Sequence, residues 1–233
     1  MSTSARDAVR GRAPGLVLDR TFSAVLFDMD GTLISSIGSV VRSWTRLAQE
    51  FAIPAERFGD FHGTPARALL DHLMHDRTAS ERARAVERVE ELEVADLDDI
   101  AILPGASRAL HAVDAPGRSA IVTSCTRRLA QARLVATGLP VPRVVVTVDD
   151  VTRGKPDPEP FRLGADRLGV RPEDCLVVED ATAGVQAGEA AGAATLALTT
   201  TAADGRIEAD LVVRDLSAVR LLLVPDGVRV ELC

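Results

Sequence analysis

Short unbroken apolar runs that stop on polar residues alternate along this chain with longer segments of helical spacing. Residues 24–32 read Ala-Val-Leu-Phe-Asp-Met-Asp-Gly-Thr, which is the pattern of a strand buried on both faces and ended by a turn. Residues 119–124 repeat it, ending in hydroxyls at Thr123 and Ser124, and residues 176–180 repeat it again, ending on Glu179 and Asp180. Runs at 194–198 and 211–213 extend the series, and residues 228–232 are expected to add an edge strand. Residues 126–137 and a segment opening near Pro158 read as helices between these strands. Strands alternating with helices predict an α/β fold built on a parallel sheet.

Residues 36–101 break that rhythm. Nothing strand-like appears there, while 40–51, 66–74 and 80–95 read as helices. A helical insert after the first strand is therefore expected, hinged at 34–38 and 100–104, with residues 21–35 and 102–233 forming the core. The Glu/Arg run at 81–93 reads as a charged helix face, and Trp44 as core or as an insert interface. Residues 1–20 carry four arginines and no apolar stretch adequate for a signal peptide or membrane span, so a flexible extension is expected.

The ends of the strands carry the chemistry. In open α/β sheets ligands bind at the carboxyl edge, where Asp28 and Asp30 would face one crevice. Two close acids need a positive partner, and a hard divalent cation such as Mg2+ suits oxygen ligands beside a phosphate. The bland alternative is that both acids merely cap a turn. Of 27 basic residues only Lys155 is a lysine, held in a Gly/Pro-rich loop, Gly-Lys-Pro-Asp-Pro. Its thin stem places a point charge where a guanidinium fork would not fit, suited to one phosphate oxygen. Ser124, with the first amides of the following helix, forms a candidate anion site.

Four motifs in order, DMDGTL (28–33), VTS (122–124), GKPDPEPF (154–161) and VVEDATAGVQAG (177–188), resemble those of the haloacid dehalogenase-like hydrolases. Within that superfamily the nearest branch is that of sugar-phosphate phosphatases and β-phosphoglucomutases. The resemblance spans residues 22–200 and implies a Rossmann-like parallel-sheet core with a small inserted helical cap of the C1 type. It also implies that Asp28 is a nucleophile forming an aspartyl-phosphate and that Asp30 is the general acid and base. Mg2+ would be held by Asp28, the carbonyl of Asp30, Asp180 and Glu179, the last directly or through water. Lys155, Ser124 and the amide of Cys125 would hold the phosphate, and His62 and Arg67 in the cap would touch the leaving group. Thr32 favours hydrolysis over mutase chemistry, because the mutase branch often carries valine there. A phosphomutase and a non-catalytic phosphate-ligand sensor remain as alternatives.

Composition narrows the partners. A net charge of -7 argues against a nucleic-acid backbone and leaves a small phosphorylated metabolite. Cys125, Cys175 and Cys233 show neither disulfide nor zinc spacing, so reduced thiols in a cytoplasmic protein are expected. His72 and His75 lack further ligands nearby and read as surface.

Overall fold

The structure is a computed structural model and describes residues 10–58, 65–115, 117–201 and 207–233. In chain order, α1 (Gly15–Leu18) leads to β1 (Thr21–Phe22), β2 (Ala24–Phe27) and β3 (Ile34–Ser35). Helices α2 (Ile37–Glu50), α3 (Ala66–Leu73) and α4 (Ala79–Ala95) follow before β4 (Ala101–Ile102). The chain then runs through α5 (Ala106–Ala112), β5 (Ser119–Val122), α6 (Arg127–Thr137), β6 (Val144–Val146) and α7 (Glu159–Leu168). It closes with β7 (Cys175–Glu179), α8 (Thr182–Ala191), β8 (Ala194–Leu198), β9 (Leu211–Val213), β10 (Val219–Val224) and β11 (Gly227–Leu232).

Six strands form a parallel sheet in the order β6-β5-β2-β7-β8-β9. Phe27 on β2 stands opposite Ile121 on one side and Val178 on the other. Val25 and Phe27 pack into one buried cluster with Ile121 and Val178, whereas Ala24 and Leu26 join Val122, Val177 and Phe161 in another. Side chains alternate between faces, so a strand covered on both must be apolar throughout. From β2 the chain continues to β5 and β6 on one side, then crosses to β7 on the other. That reversal opens a crevice at the carboxyl ends of β2, β5 and β7.

The run at 228–232 departs from expectation. It lies in β11, which pairs antiparallel with β1 and β10 in a separate three-stranded sheet. Only Pro225 and Asp226 separate Val224 from its partner Gly227, and so tight a reversal delivers an antiparallel neighbour. Residues 10–20 also depart from the expected flexible extension. Arg10 bridges to Val212, and Val17 is fully buried in the core.

The helical insert carries its own buried cluster, with Leu47, Leu70, Leu73 and Val89 at its centre. Thr78 and Glu81 form a reciprocal capping box at the start of α4. The two connecting segments are not separate tethers: β3 and β4 pair antiparallel, with Ile34 opposite Ile102 and Ser35 opposite Ala101. Among the described residues no helix is long and apolar enough to cross a membrane.

Candidate active site

Asp28 follows β2 directly, and its amide donates to the carbonyl of Val178 at 2.9 Å. The parallel ladder thus extends one residue past the strand and fixes Asp28 at the sheet's carboxyl edge. Lys155 rises beneath it from the loop before α7. Its Nζ donates to Asp28 Oδ1 at 2.6 Å, Glu179 Oε1 at 2.7 Å and the Val122 carbonyl at 2.9 Å. All three ammonium protons are used, and Phe161 presents its ring 5.0 Å away.

Glu179, at the end of β7, is engaged at both oxygens, because Oε2 accepts from the amides of Asp180 and Ala181 at 2.8 Å each. Asp180 accepts from the hydroxyls of Thr32 and Thr201. Two glycines make room for these acids. A Cβ on Gly31, whose φ is +89°, would lie 2.1 Å from Asp180 Oδ2, and one on Gly184 would lie 1.7 Å from Glu179 Oε1.

One ligand atom each from Asp28, Glu179 and Asp180 falls within a 4.8 Å cluster. Three buried carboxylates share one ammonium, and the titration behaviour reflects the excess. Burial pushes Asp28 up against the pull of Lys155, with Glu179 and Asp180 adding to the rise. Asp180 is pushed up to about 7, by burial first and then by the charge of Glu179. Burial would lower Lys155, but Asp28 and Glu179 outweigh it and hold the ammonium protonated. A hard divalent cation fits this donor set, since it would balance the two surplus negative charges.

Asp30 turns its side chain elsewhere and is absent from the acid cluster. Its Oδ1 accepts from Ser36 Oγ at 2.6 Å and Arg133 Nη1 at 2.9 Å, and its Oδ2 from Cys125 Sγ at 3.1 Å. Arg133, only 2% exposed, continues from core to insert, with Nη2 3.5 Å from Glu93 Oε1. Trp44 Nε1 donates to that same oxygen at 3.2 Å. Glu93 is pushed up by burial against the opposing charge of Arg133. Burial and the neighbouring Asp30 keep the Cys125 thiol protonated, which makes it a donor here and no nucleophile.

The five acids, with Cys125, Arg133 and Trp44, line one cavity of about 640 Å³ between core and insert. Its floor holds Asp28, Asp180, Ser124 and Cys125, and its roof holds Val40, Trp44 and Phe58.

The sequence-predicted residues Asp28, Asp30, Ser124, Cys125, Glu179 and Asp180 all line this cavity, and Lys155 lies against Asp28. The Cys125 amide, the expected phosphate donor, is held by Thr123 Oγ1 at 3.1 Å. Arg67 is exposed and borders the cavity, while His62 lies outside the described residues. The expected charged face at 81–93 is corrected at its end: Glu93 is buried beside Val89 and Leu92. Sequence reasoning misses Arg133 altogether, although it occupies the apolar stripe of α6 with Leu129, Ala130 and Leu134. A charge on such a stripe is the available signal.

Residues 22–192 match the sequence profile of the haloacid dehalogenase-like hydrolases, and the chain belongs to that family. It is 40% identical over 205 residues to hexitol phosphatase A of Escherichia coli (strain K12), covering 87% of this chain and 95% of that one. It is 35% identical to validoxylamine A 7'-phosphate phosphatase of Streptomyces hygroscopicus subsp. limoneus, covering 85% and 96%. Among solved structures, a hydrolase from Pseudomonas syringae superposes with a TM-score of 0.75 at 28% identity, covering 84% of this chain and 94% of that one.

Proposed function

We propose that this chain is a Mg2+-dependent phosphatase of a small sugar, polyol or cyclitol phosphate, acting through an aspartyl-phosphate on Asp28. The observation that carries the reading is the buried contact of Asp28 Oδ1 with Lys155 at 2.6 Å, beside the Glu179 and Asp180 carboxylates and beneath a cavity of metabolite size. Its relatives named for phosphatase activity on hexitols and validoxylamine A support the substrate class.

Asp28 attacks phosphorus, and the bond to the leaving alkoxide breaks as Asp30 supplies a proton. Asp30 then takes a proton from water, which attacks the acyl phosphate, releasing inorganic phosphate and restoring Asp28. Lys155 holds Asp28 and offsets charge on the phosphoryl oxygens, and Ser124 holds one of those oxygens. Asp28, Asp180 and the Asp30 carbonyl are the groups to hold Mg2+, which when bound neutralises phosphate charge. Glu179, with both oxygens engaged, orients Lys155 and would support the metal directly or through water. Residues 36–101 serve as a cap whose closure excludes bulk water, with Arg67 at the rim. Three free thiols agree with a reducing, cytoplasmic setting.

The test is phosphate release from a panel of sugar, polyol, cyclitol and nucleotide phosphates, with and without Mg2+, beside Asp28→Asn. Mg2+-dependent release from a sugar or polyol subset, lost in the variant, is expected. Release that survives Asp28→Asn, or isomer formation with no free phosphate, overturns the reading.

A further inference from the structure

We propose that Glu90, Glu93 and Arg133 form the subsite that reads the hydroxyl groups of the leaving group. This rests on the phosphatase reading and specifies which side chains select the substrate.

All three border the 640 Å³ cavity, on the side next to Asp30. Arg133 Nη1 is satisfied by Asp30, but Nε and Nη2 are buried and make no hydrogen bond. The approach of Nη2 to Glu93 is an ion pair at 3.5 Å, too loose for a hydrogen bond. Buried donors are normally paired, because leaving one unmade costs its full desolvation penalty. Two unmade donors on a side chain that borders the cavity therefore point to a ligand there.

The neighbouring charges define what that ligand is. Glu93 stands across from the guanidinium, and Glu90 lies one turn before it on the same face of α4, its Oε1 accepting from Thr126 Oγ1 at 2.5 Å. Asp30, Glu90 and Glu93 outnumber Arg133 and Arg128, whose Nη1 lies 3.8 Å from Glu90 Oε2, so this wall repels a second phosphate or an acid group while offering both acceptors and donors. A hydroxyl satisfies both, donating to a glutamate while accepting from Arg133. Two acceptors a helical turn apart suit successive hydroxyls along a carbon chain. Trp44, donating to Glu93 from the apolar wall, leaves a nonpolar surface for the carbon backbone itself.

The subsite is adjacent to the reacting centre, because Arg133 holds Asp30, the group assigned to protonate the leaving oxygen. A hydroxyl bound there fixes the carbon skeleton relative to that oxygen. Selection therefore falls on a polyhydroxy leaving group that carries no second acid.

The experiment compares kcat/KM for sorbitol 6-phosphate with kcat/KM for ethyl phosphate, which has a similar alkoxide leaving group and no further hydroxyl. It uses the full-length wild type, Glu90→Gln and Glu93→Gln, each checked for an unchanged melting profile. Wild type is expected to favour the hexitol ester, and each glutamine to cut that preference about tenfold, a loss typical of one hydrogen bond to a charged group. Because Glu90 is the more exposed of the two acids, its variant keeps the test readable should Glu93→Gln fold poorly. If both variants lower the two esters by the same factor, the subsite assignment is wrong while the phosphatase reading stands. If wild type releases phosphate from neither ester nor from any other monoester, the phosphatase reading fails and this assignment with it.

Discussion

Lys155 and Asp28 meet at 2.6 Å with the lysine side chain 2% and the aspartate side chain 10% exposed. Such a pair is costly to assemble and more costly to break, because the survivor is a buried charge with no partner. Lys155→Met removes the shared partner of Asp28 and Glu179 together. It is expected to lower folding stability by about 3–5 kcal/mol and to abolish phosphate release, read by urea unfolding and a phosphate assay. Lys155→Arg is expected to rescue neither, since a planar fork cannot repeat three bonds made from one nitrogen. An active and stable arginine variant would remove the point-charge argument.

Gly31 connects backbone geometry to the acid cluster. Its φ of +89°, and the 2.1 Å approach that a Cβ there would make to Asp180 Oδ2, leave alanine no place to go without moving that carboxylate. Gly31→Ala is expected to fold and to bind Mg2+ at least tenfold more weakly, as is common when a ligand's support is disturbed. Calorimetric titration with Mg2+ checks this, and wild-type affinity in the variant would show that Asp180 is not a ligand.

Asp180 also predicts a pH dependence with a definite sign. Its folded-state pKa of about 7 exceeds the ordinary 3.8, so the folded chain keeps a proton that the unfolded chain releases in between. Its contribution therefore favours folding fully below about pH 4, declines as pH rises towards about 7 and is then flat. The difference in melting temperature between metal-free wild type and Asp180→Asn should follow that course, with the asparagine variant gaining on wild type as pH rises. On the proposed reading Mg2+ would bind the ionised carboxylate, and its apparent affinity should then climb with pH up to about 7. A difference curve independent of pH would contradict the burial argument.

The strand ends were legible because β2, β5 and β7 are covered on both faces and so read as unbroken apolar runs. Parallel pairing then points their carboxyl ends the same way, which is why Asp28, Ser124 and Asp180 converge from distant parts of the chain. The cavity's polar wall was not legible. Glu93 follows Val89 by one turn on the buried side of α4, yet in a helix dense with Glu and Arg one more acid carries no mark of burial. Arg133 stands out on the apolar stripe of α6, but its meaning depends on Asp30 and Glu93, neither of which sequence spacing places beside it. The β10–β11 hairpin was lost for a different reason: apolar residues in both strands do not say which sheet they join.

Arg133 ties Asp30 in the core to Glu93 in the insert, at 2.9 Å and 3.5 Å. Both contacts are electrostatic and poorly screened, so deleting the cation leaves two acids facing each other in a buried space. Arg133→Met is expected to destabilise by about 3–5 kcal/mol. The double variant Arg133→Met with Glu93→Gln should recover part of that loss, because it removes one of the two stranded charges. A coupling of about 0.5–3 kcal/mol is the expected range for groups in direct contact, measured as a double-mutant cycle by denaturant unfolding. Strict additivity would mean that the 3.5 Å approach carries no energy and that Arg133 serves Asp30 alone.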